Sequence, residues 1–257
     1  ILQLPVIKKA KEMGIFVVAA DGDPNAVGLK FADKPIVVNI TSEEDMLRVA
    51  KEEQIDGVIH PCSEVSMNVM GRINDELGLC GISREAAIRA TNKHLMREAF
   101  EKYGAPSPKS MCFSSVDAAW EAFCEHFTGI CIVKPSRNSG SRGIAKISDD
   151  IKKEEFARLF EISKKESRDK SVMLEEFVDG PEFSIEIIVR NKEVNVLTVT
   201  DKKTTGAPHF VELGHSQPSC RTAEEIQILK AAAVAGVKAL GVDNCACHAE
   251  AKIMNGK

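Results

Sequence analysis

The first ninety residues alternate short apolar runs with helix-patterned segments, and that rhythm limits what the chain can fold into more than any other feature. Val6 to Met13 reads as a helix closed by Gly14, followed by the apolar run Ile15 to Ala20 and the turn Asp21-Gly22-Asp23-Pro24. Pro35 to Val38 reads as a strand, a helix capped by Thr41 or Ser42 runs towards Glu53, and Gly57 to His60 reads as a further strand. The pattern is βαβ, which calls for a parallel sheet with helices on both faces. Such a fold normally opens on a strand and a glycine-rich turn. Here the sequence opens on Ile1-Leu2-Gln3-Leu4-Pro5 and a helix, so the first strand is expected to be missing.

A chain of 257 residues exceeds the usual size of one core, so two or three packed subdomains are expected. Asn92 to Phe100 has a helical pattern, and Tyr103-Gly104-Ala105-Pro106-Ser107-Pro108 then interrupts it. A second unit follows: a helix over Val116 to Phe127, a strand over Ile130 to Pro135, a Gly/Ser loop, a charged helix from Asp150 to Lys165, and a strand over Ser171 to Glu175. Short alternating strands over Glu182 to Val189 and Val194 to Thr200, joined by the turn Arg190-Asn191-Lys192, predict an antiparallel sheet. A long helix from Thr222 to Leu240 and a last strand complete the chain. The divisions expected are residues 1–90, 91–185 and 186–257, with α/β character in the first and α+β character in the others.

The net charge of -4 gives the whole molecule no reason to seek nucleic acid or an anionic membrane, so any phosphate it binds must be met by a local cluster. No stretch approaches the roughly 20 apolar residues that span a bilayer, and no cationic segment precedes an apolar one at the start. The eight Cys are scattered and never form C-x-x-C, so they read as reduced thiols in a cytosolic protein. Cys245, Cys247 and His248 come nearest to a metal cluster, but alternation explains them as strand residues. A homodimer is the base-rate assembly.

Four segments carry chemistry. Ser136-Arg137-Asn138-Ser139-Gly140-Ser141-Arg142-Gly143 follows a strand ending in Lys134-Pro135; its glycines allow close backbone approach, its hydroxyls donate, and Arg142 adds charge, so it suits anions. It is neither G-x-G-x-x-G nor a Walker loop. In Glu175 to Ser184 two carboxylates end a strand, and beyond the turn Glu182, Ser184 and Glu186 share one face while Phe183, Ile185 and Ile187 share the other. The last strand sets Ala246, His248, Glu250 and Lys252 on one side, and Glu250 is the first candidate for a hard cation. Between them, Asp201 to Ser219 reads as a long polar loop facing a substrate, with His209, Glu212 and His215.

In this order the motifs resemble the ATP-grasp superfamily: Thr91-Asn92-Lys93 with Arg97, Gly104 to Pro108, Val133-Lys134-Pro135 with its loop, Glu175 to Val178, Gly180-x-Glu182, and His248-x-Glu250. The resemblance implies a pre-ATP-grasp domain followed by two α+β subdomains that enclose ATP. It implies that Lys93 and Lys134 reach the nucleotide phosphates, with the loop through Ser136, Ser139, Gly140, Ser141 and Gly143 folding over them. Glu175 and the backbone of Glu176, Phe177 and Val178 would take adenine, Glu182 the ribose, and Glu250 Mg²⁺. Arg142, Lys202 and His215 are the catalytic candidates. The segment Phe210 to Ser219 looks most like the amino-acid and dipeptide ligase branch, which implies His209, Glu212 and His215 as substrate residues. The family pattern also carries a second metal Glu, an Asn and an Arg on a following strand, and the sequence reaches Asn255-Gly256-Lys257 before them.

The activity so implied is a carboxylate–amine ligase that forms an acyl phosphate and releases ADP. Branches resembling phosphoribosylglycinamide synthetase, carbamoyl-phosphate synthase or biotin carboxylase remain as alternatives, as does a nucleotide-binding module without catalysis. A dinucleotide-binding oxidoreductase rests on the βαβ opening alone.

Overall fold

A computed structural model of the chain describes residues 2–61, 63–138, 140, 142–206, 211–254 and 256. The chain divides into two compact units, Ile1–Thr91 with Val242–Cys245 and Asn92–Gly241 with Ala246–Lys257.

In the first unit α1 (Leu4–Glu12) carries Pro5 in its opening turn, where its missing N–H costs nothing. Strand β1 (Val18–Asp21) pairs in parallel with β2 (Lys34–Val37), and a 3-10 turn, Val27–Phe31, lies between them in the chain. Helix α2 (Glu43–Glu52) begins at Ser42 rather than Thr41: the Ser42 hydroxyl accepts from the Asp45 N–H, and three acidic residues occupy the positive first turn. Helices α3 (Met67–Leu77) and α4 (Arg84–Thr91) follow. Leu47 and Ala50 of α2 pack on Val69 and Ile73 of α3 to form the core of this unit. The predicted strand over Gly57 to His60 does not form, and Ile59 is 71% exposed. Its composition suits a strand, but no ladder neighbour among the described residues pairs with it, and a strand exists only through pairing.

The second unit opens on α5 (Lys93–Tyr103), whose N-cap Asn92 accepts from the N–H groups of His94 and Leu95. A four-stranded antiparallel sheet of order β3-β6-β4-β5 is built from β3 (Ser110–Phe113), β4 (Cys131–Pro135), β5 (Ala145–Ile147) and β6 (Val172–Glu176). Helices α6 (Val116–His126) and α7 (Lys153–Glu166) cover one face of it. Phe123, Phe156 and Phe160 pack there on Cys131, Val133, Val172 and Leu174, and Trp120 meets Phe156 edge-on at 5.2 Å. Burial of such aromatic side chains stabilises this layer by about 2 kcal/mol each.

A second sheet has the order β10-β7-β8-β9, from β7 (Glu182–Arg190), β8 (Glu193–Thr204), β9 (Glu212–Ser216) and β10 (Cys245–Lys252). The β7–β8 hairpin closes on Asn191 and Lys192, both at positive φ (50° and 65°), the two-residue turn that matches strand twist. Phe183, Ile185 and Ile187 are fully buried, and α8 (Ala223–Leu240) packs on β7 and β8. A reciprocal capping box between Thr222 and Glu225 starts α8, and Gly241 at φ 74° ends it. The stretch Asp201 to Ser219 is not one long loop. Its two ends extend β8 and form β9, paired antiparallel with Lys202 opposite His215, because the exposed backbone edge of β8 is satisfied by the returning chain.

Candidate functional site

Two charged clusters stand on the strands of the second unit. The first grows from alternation along β4, where Cys131, Val133 and Pro135 are buried and Ile132 and Lys134 turn to the other face. Lys134 Nζ meets Glu175 Oε1 at 2.5 Å, and Arg97 Nε donates to Glu175 Oε2 at 2.9 Å. Lys93 and Arg97 lie one turn apart on α5 and so share a face; the Lys93 ammonium donates to the Asn138 carbonyl at 2.6 Å. Burial alone would raise the Glu175 carboxyl, but Lys134 and Arg97 outweigh it and keep it ionised. Burial also pushes the Lys134 ammonium down, with Arg97 adding repulsion and Glu175 resisting. Two cations on one carboxylate leave an excess positive charge in a place with little water, which favours an anionic ligand.

The loop after β4 begins at Ser136, buried, whose hydroxyl lies 3.2 Å from Asp169 Oδ2 and 3.4 Å from Asn92 Oδ1. Gly143 sits at φ 72° with Glu166 and Pro135 against it, a position suited to glycine. Gly140 also has positive φ, and Arg142 is exposed and donates to Asn138 Oδ1 at 3.1 Å. Ser139 and Ser141 lie outside the described residues, as does His209. At the end of β6, Glu176 and Phe177 already donate their N–H groups to Lys109 and Ile130, whereas the Val178 N–H has no protein acceptor among the described residues. Gly180 then lets the start of β7 pass the end of β10: a Cβ there would lie 2.0 Å from the Ile253 carbonyl oxygen.

The second cluster centres on Lys202 of β8. Its ammonium, with the side chain 2% exposed, touches Glu182 Oε1 at 2.8 Å, Glu212 Oε1 at 2.8 Å and Glu250 Oε1 at 2.5 Å, carboxylates from three different strands. Burial opposes its charge, but the three hydrogen bonds prevail and raise its pKa above the usual lysine value. His248 Nδ1 lies 2.8 Å from Glu186, and its Nε2 lies 3.8 Å from Glu250. Its interaction with Glu250, then that with Glu186, raises His248 to about 9, and His248 and Lys202 hold Glu250 at about 2. Lys202 and His248 both approach Glu250 through Oε1, so Oε2 of this ionised, half-exposed carboxylate is the oxygen left for a hard cation such as Mg²⁺. Among the described residues no group of three His, Cys, Asp or Glu could by itself hold a metal. His215, exposed on β9, lies 3.6 Å from Glu212.

Both clusters lie in the second unit. The structure therefore brings Lys93, Lys134, Ser136 and Glu175 together on one side and Lys202, Glu182, Glu212, His215 and Glu250 on the other, with Arg142 out on the loop. Sequence reasoning gave no role to Arg97, although its spacing from Lys93 on α5 was a usable signal. It passed over Lys146 and gave no role to Lys252, whose ammonium groups lie 3.9 Å and 5.2 Å from the centre of the Phe177 ring. Lys146 of β5 faces Ile132 in register, so a pairing known only from the fold brings it to Phe177.

The family described as "ATP-grasp domain" matches residues 128–257, half of the chain, and the chain belongs to that family. Among curated proteins it is 28% identical over 240 residues to an alanine–anticapsin ligase of Bacillus subtilis, covering 85% of this chain and 50% of that protein. It is 27% identical over 214 residues to a formate-dependent phosphoribosylglycinamide formyltransferase of Methanocella arvoryzae, covering 81% of this chain and 47% of that one. The chain thus spans about half the length of these relatives. Among solved structures it resembles phosphoribosylglycinamide synthetase from Anaerococcus prevotii, with TM-score 0.78 and 26% identity, covering 100% of this chain and 63% of that one.

Proposed function

We propose that the protein is an ATP- and Mg²⁺-dependent carboxylate–amine ligase that works through an acyl phosphate and releases ADP. The observation that carries this reading is the pairing of two lysine–carboxylate clusters: a positive one at Lys134, Arg97 and Glu175, and a negative one at Lys202, Glu182, Glu212 and Glu250. A nucleotide triphosphate with its metal carries both complements, phosphate oxygens for the first and a cation for the second.

In this reading the Lys93 and Lys134 ammonium groups hold phosphate oxygens, and Arg97 acts behind them by orienting Glu175. The Val178 N–H offers a donor to the edge of the base, and Glu182 a carboxylate to the ribose hydroxyls. Bound through Glu250 and phosphate oxygens, Mg²⁺ would neutralise charge as the phosphoryl group moves. The loop with Ser136, Ser139, Gly140, Ser141 and Gly143 is assigned to the β- and γ-phosphates, with Arg142 adding charge there.

An amino acid is the favoured substrate class, since the half-exposed Glu212 suits an ammonium group and His215 beside it suits a carboxylate or a proton. His209 is the third residue proposed for this role. A formate-dependent phosphoribosylglycinamide formyltransferase is the second reading, because the relative of that name matches over a similar share of the chain. No disulfide joins the seven described cysteines and no described helix is long and apolar enough to cross a membrane; the cytosol is the compartment proposed, and a homodimer the assembly.

The test is phosphate release from ATP and Mg²⁺ by the full-length protein, screened against pairs of amino acids and against formate, with ADP and AMP separated by chromatography. ADP formation that depends on an amino acid supports the first reading, and dependence on formate the second. Nucleotide binding without turnover on any of these acids would count against a ligase.

A further inference from the structure

Lys202 is the one described lysine whose ammonium is shared by three carboxylates, and it donates a hydrogen bond to Glu250 Oε1. The oxygens lie at 2.5, 2.8 and 2.8 Å from the ammonium nitrogen, so the three carboxylates converge on one cation. They come from β7, β9 and β10, and Lys202 projects from β8 between β7 and β9. Without a central cation these three carboxylates would repel one another. One strand position further along the polar face of β7, Ser184 is 2% exposed and its hydroxyl has no partner among the described residues. The face is therefore built around polar ligands and is not merely a solvated surface.

Resting on the ligase reading above, we infer that Lys202 is a resident counter-cation. It positions Glu182, Glu212 and Glu250 while no nucleotide is bound, and it keeps a free divalent cation from settling among them. Glu250 Oε1 is held by the ammonium, so the metal reaches this carboxylate through Oε2 and needs phosphate oxygens to complete its ligands. The consequence is order: the cation is captured with the nucleotide and not before it. Lys202 acts here through Glu250, as a positioning residue.

The test uses Mn²⁺ alone, titrated into the nucleotide-free full-length protein and followed by electron paramagnetic resonance. Lys202→Met removes the competing charge at nearly constant length. Its expected effect is a gain of about tenfold or more in Mn²⁺ affinity over the wild type, since one unit charge has been removed from within a few ångströms of a divalent ion. Adding Glu250→Gln to that variant should abolish the gain. A purely structural lysine would give no such gain. Should Lys202→Met be poorly folded, its melting temperature supplies the second measurement: Mn²⁺ should raise it more than it raises that of the wild type. Unchanged or weaker Mn²⁺ binding in Lys202→Met, with no added thermal shift, overturns the inference. ADP binding by the wild type, measured in the same series, reports separately on the ligase reading.

Discussion

At the scale of single residues, charge placement makes the sharpest predictions. Lys134 is held by Glu175, which Arg97 also holds, so removing the lysine leaves the carboxylate one partner and spares the fold. Lys134→Ala should therefore weaken ATP binding by about 2 kcal/mol, roughly thirtyfold, the value of a charge-assisted hydrogen bond. Near-normal affinity in a calorimetric titration would remove Lys134 from the phosphate site. His248 offers a pH test in the metal-free protein. Glu250 and Glu186 raise its pKa from 6.5 to about 9, so its contribution to stability is complete below about pH 6.5 and is lost as pH rises through 9. Glu250, lowered from 4.5 to about 2, contributes above pH 4.5 and loses that contribution as pH falls through 2. An NMR titration of the His248 ring should have its midpoint near 9, moving towards 6.5 in Glu250→Gln and in Glu186→Gln. A wild-type midpoint at 6.5 would show that the pairing is not formed in solution.

At the scale of elements, a glycine and a cap decide how the site is held. The start of β7 passes so close to Ile253 that any Cβ at Gly180 displaces one strand from the other, and Glu182 stands two residues on. Gly180→Ala should cost about 3 kcal/mol, seen as a lower urea midpoint, and an unchanged midpoint would mean that the strands do not approach in this way. Thr222→Ala, which removes the capping box of α8 and none of the cluster carboxylates or lysines, should cost about 1 kcal/mol and leave nucleotide affinity as it was. Elements whose signal is local were legible in the sequence. The alternation of Glu182 to Val189 became β7 with Phe183, Ile185 and Ile187 buried, and Thr222 to Leu240 became α8. Elements defined by a distant partner were not. Glu212 to Ser216 has no β-branched residue and becomes a strand only by pairing with β8, while Gly57 to His60 has the composition of a strand and no ladder.

At the scale of the molecule, the same distinction explains what of the site could be read. The order of the motifs was visible, because each is a short run of residues with its own chemistry. The convergence of Glu182, Glu212 and Glu250 on Lys202 was not, since it depends on the order β10-β7-β8-β9, which brings distant parts of the chain side by side. Every residue of both clusters falls in the unit Asn92–Gly241 with Ala246–Lys257, and none in Ile1–Thr91. Nucleotide binding should then be felt unevenly along the chain. Amide hydrogen exchange with and without ADP and Mg²⁺ should show added protection in the loop after β4, at Val178 and through the start of β7, because their N–H groups gain acceptors or lose contact with water. The helices α2 and α3, stabilised by their own core of Leu47, Ala50, Val69 and Ile73, should exchange at the same rate in both states. Protection confined to α2 and α3, with Val178 and the loop unaffected, would place the nucleotide elsewhere and would remove the basis for assigning it to the two lysine–carboxylate clusters.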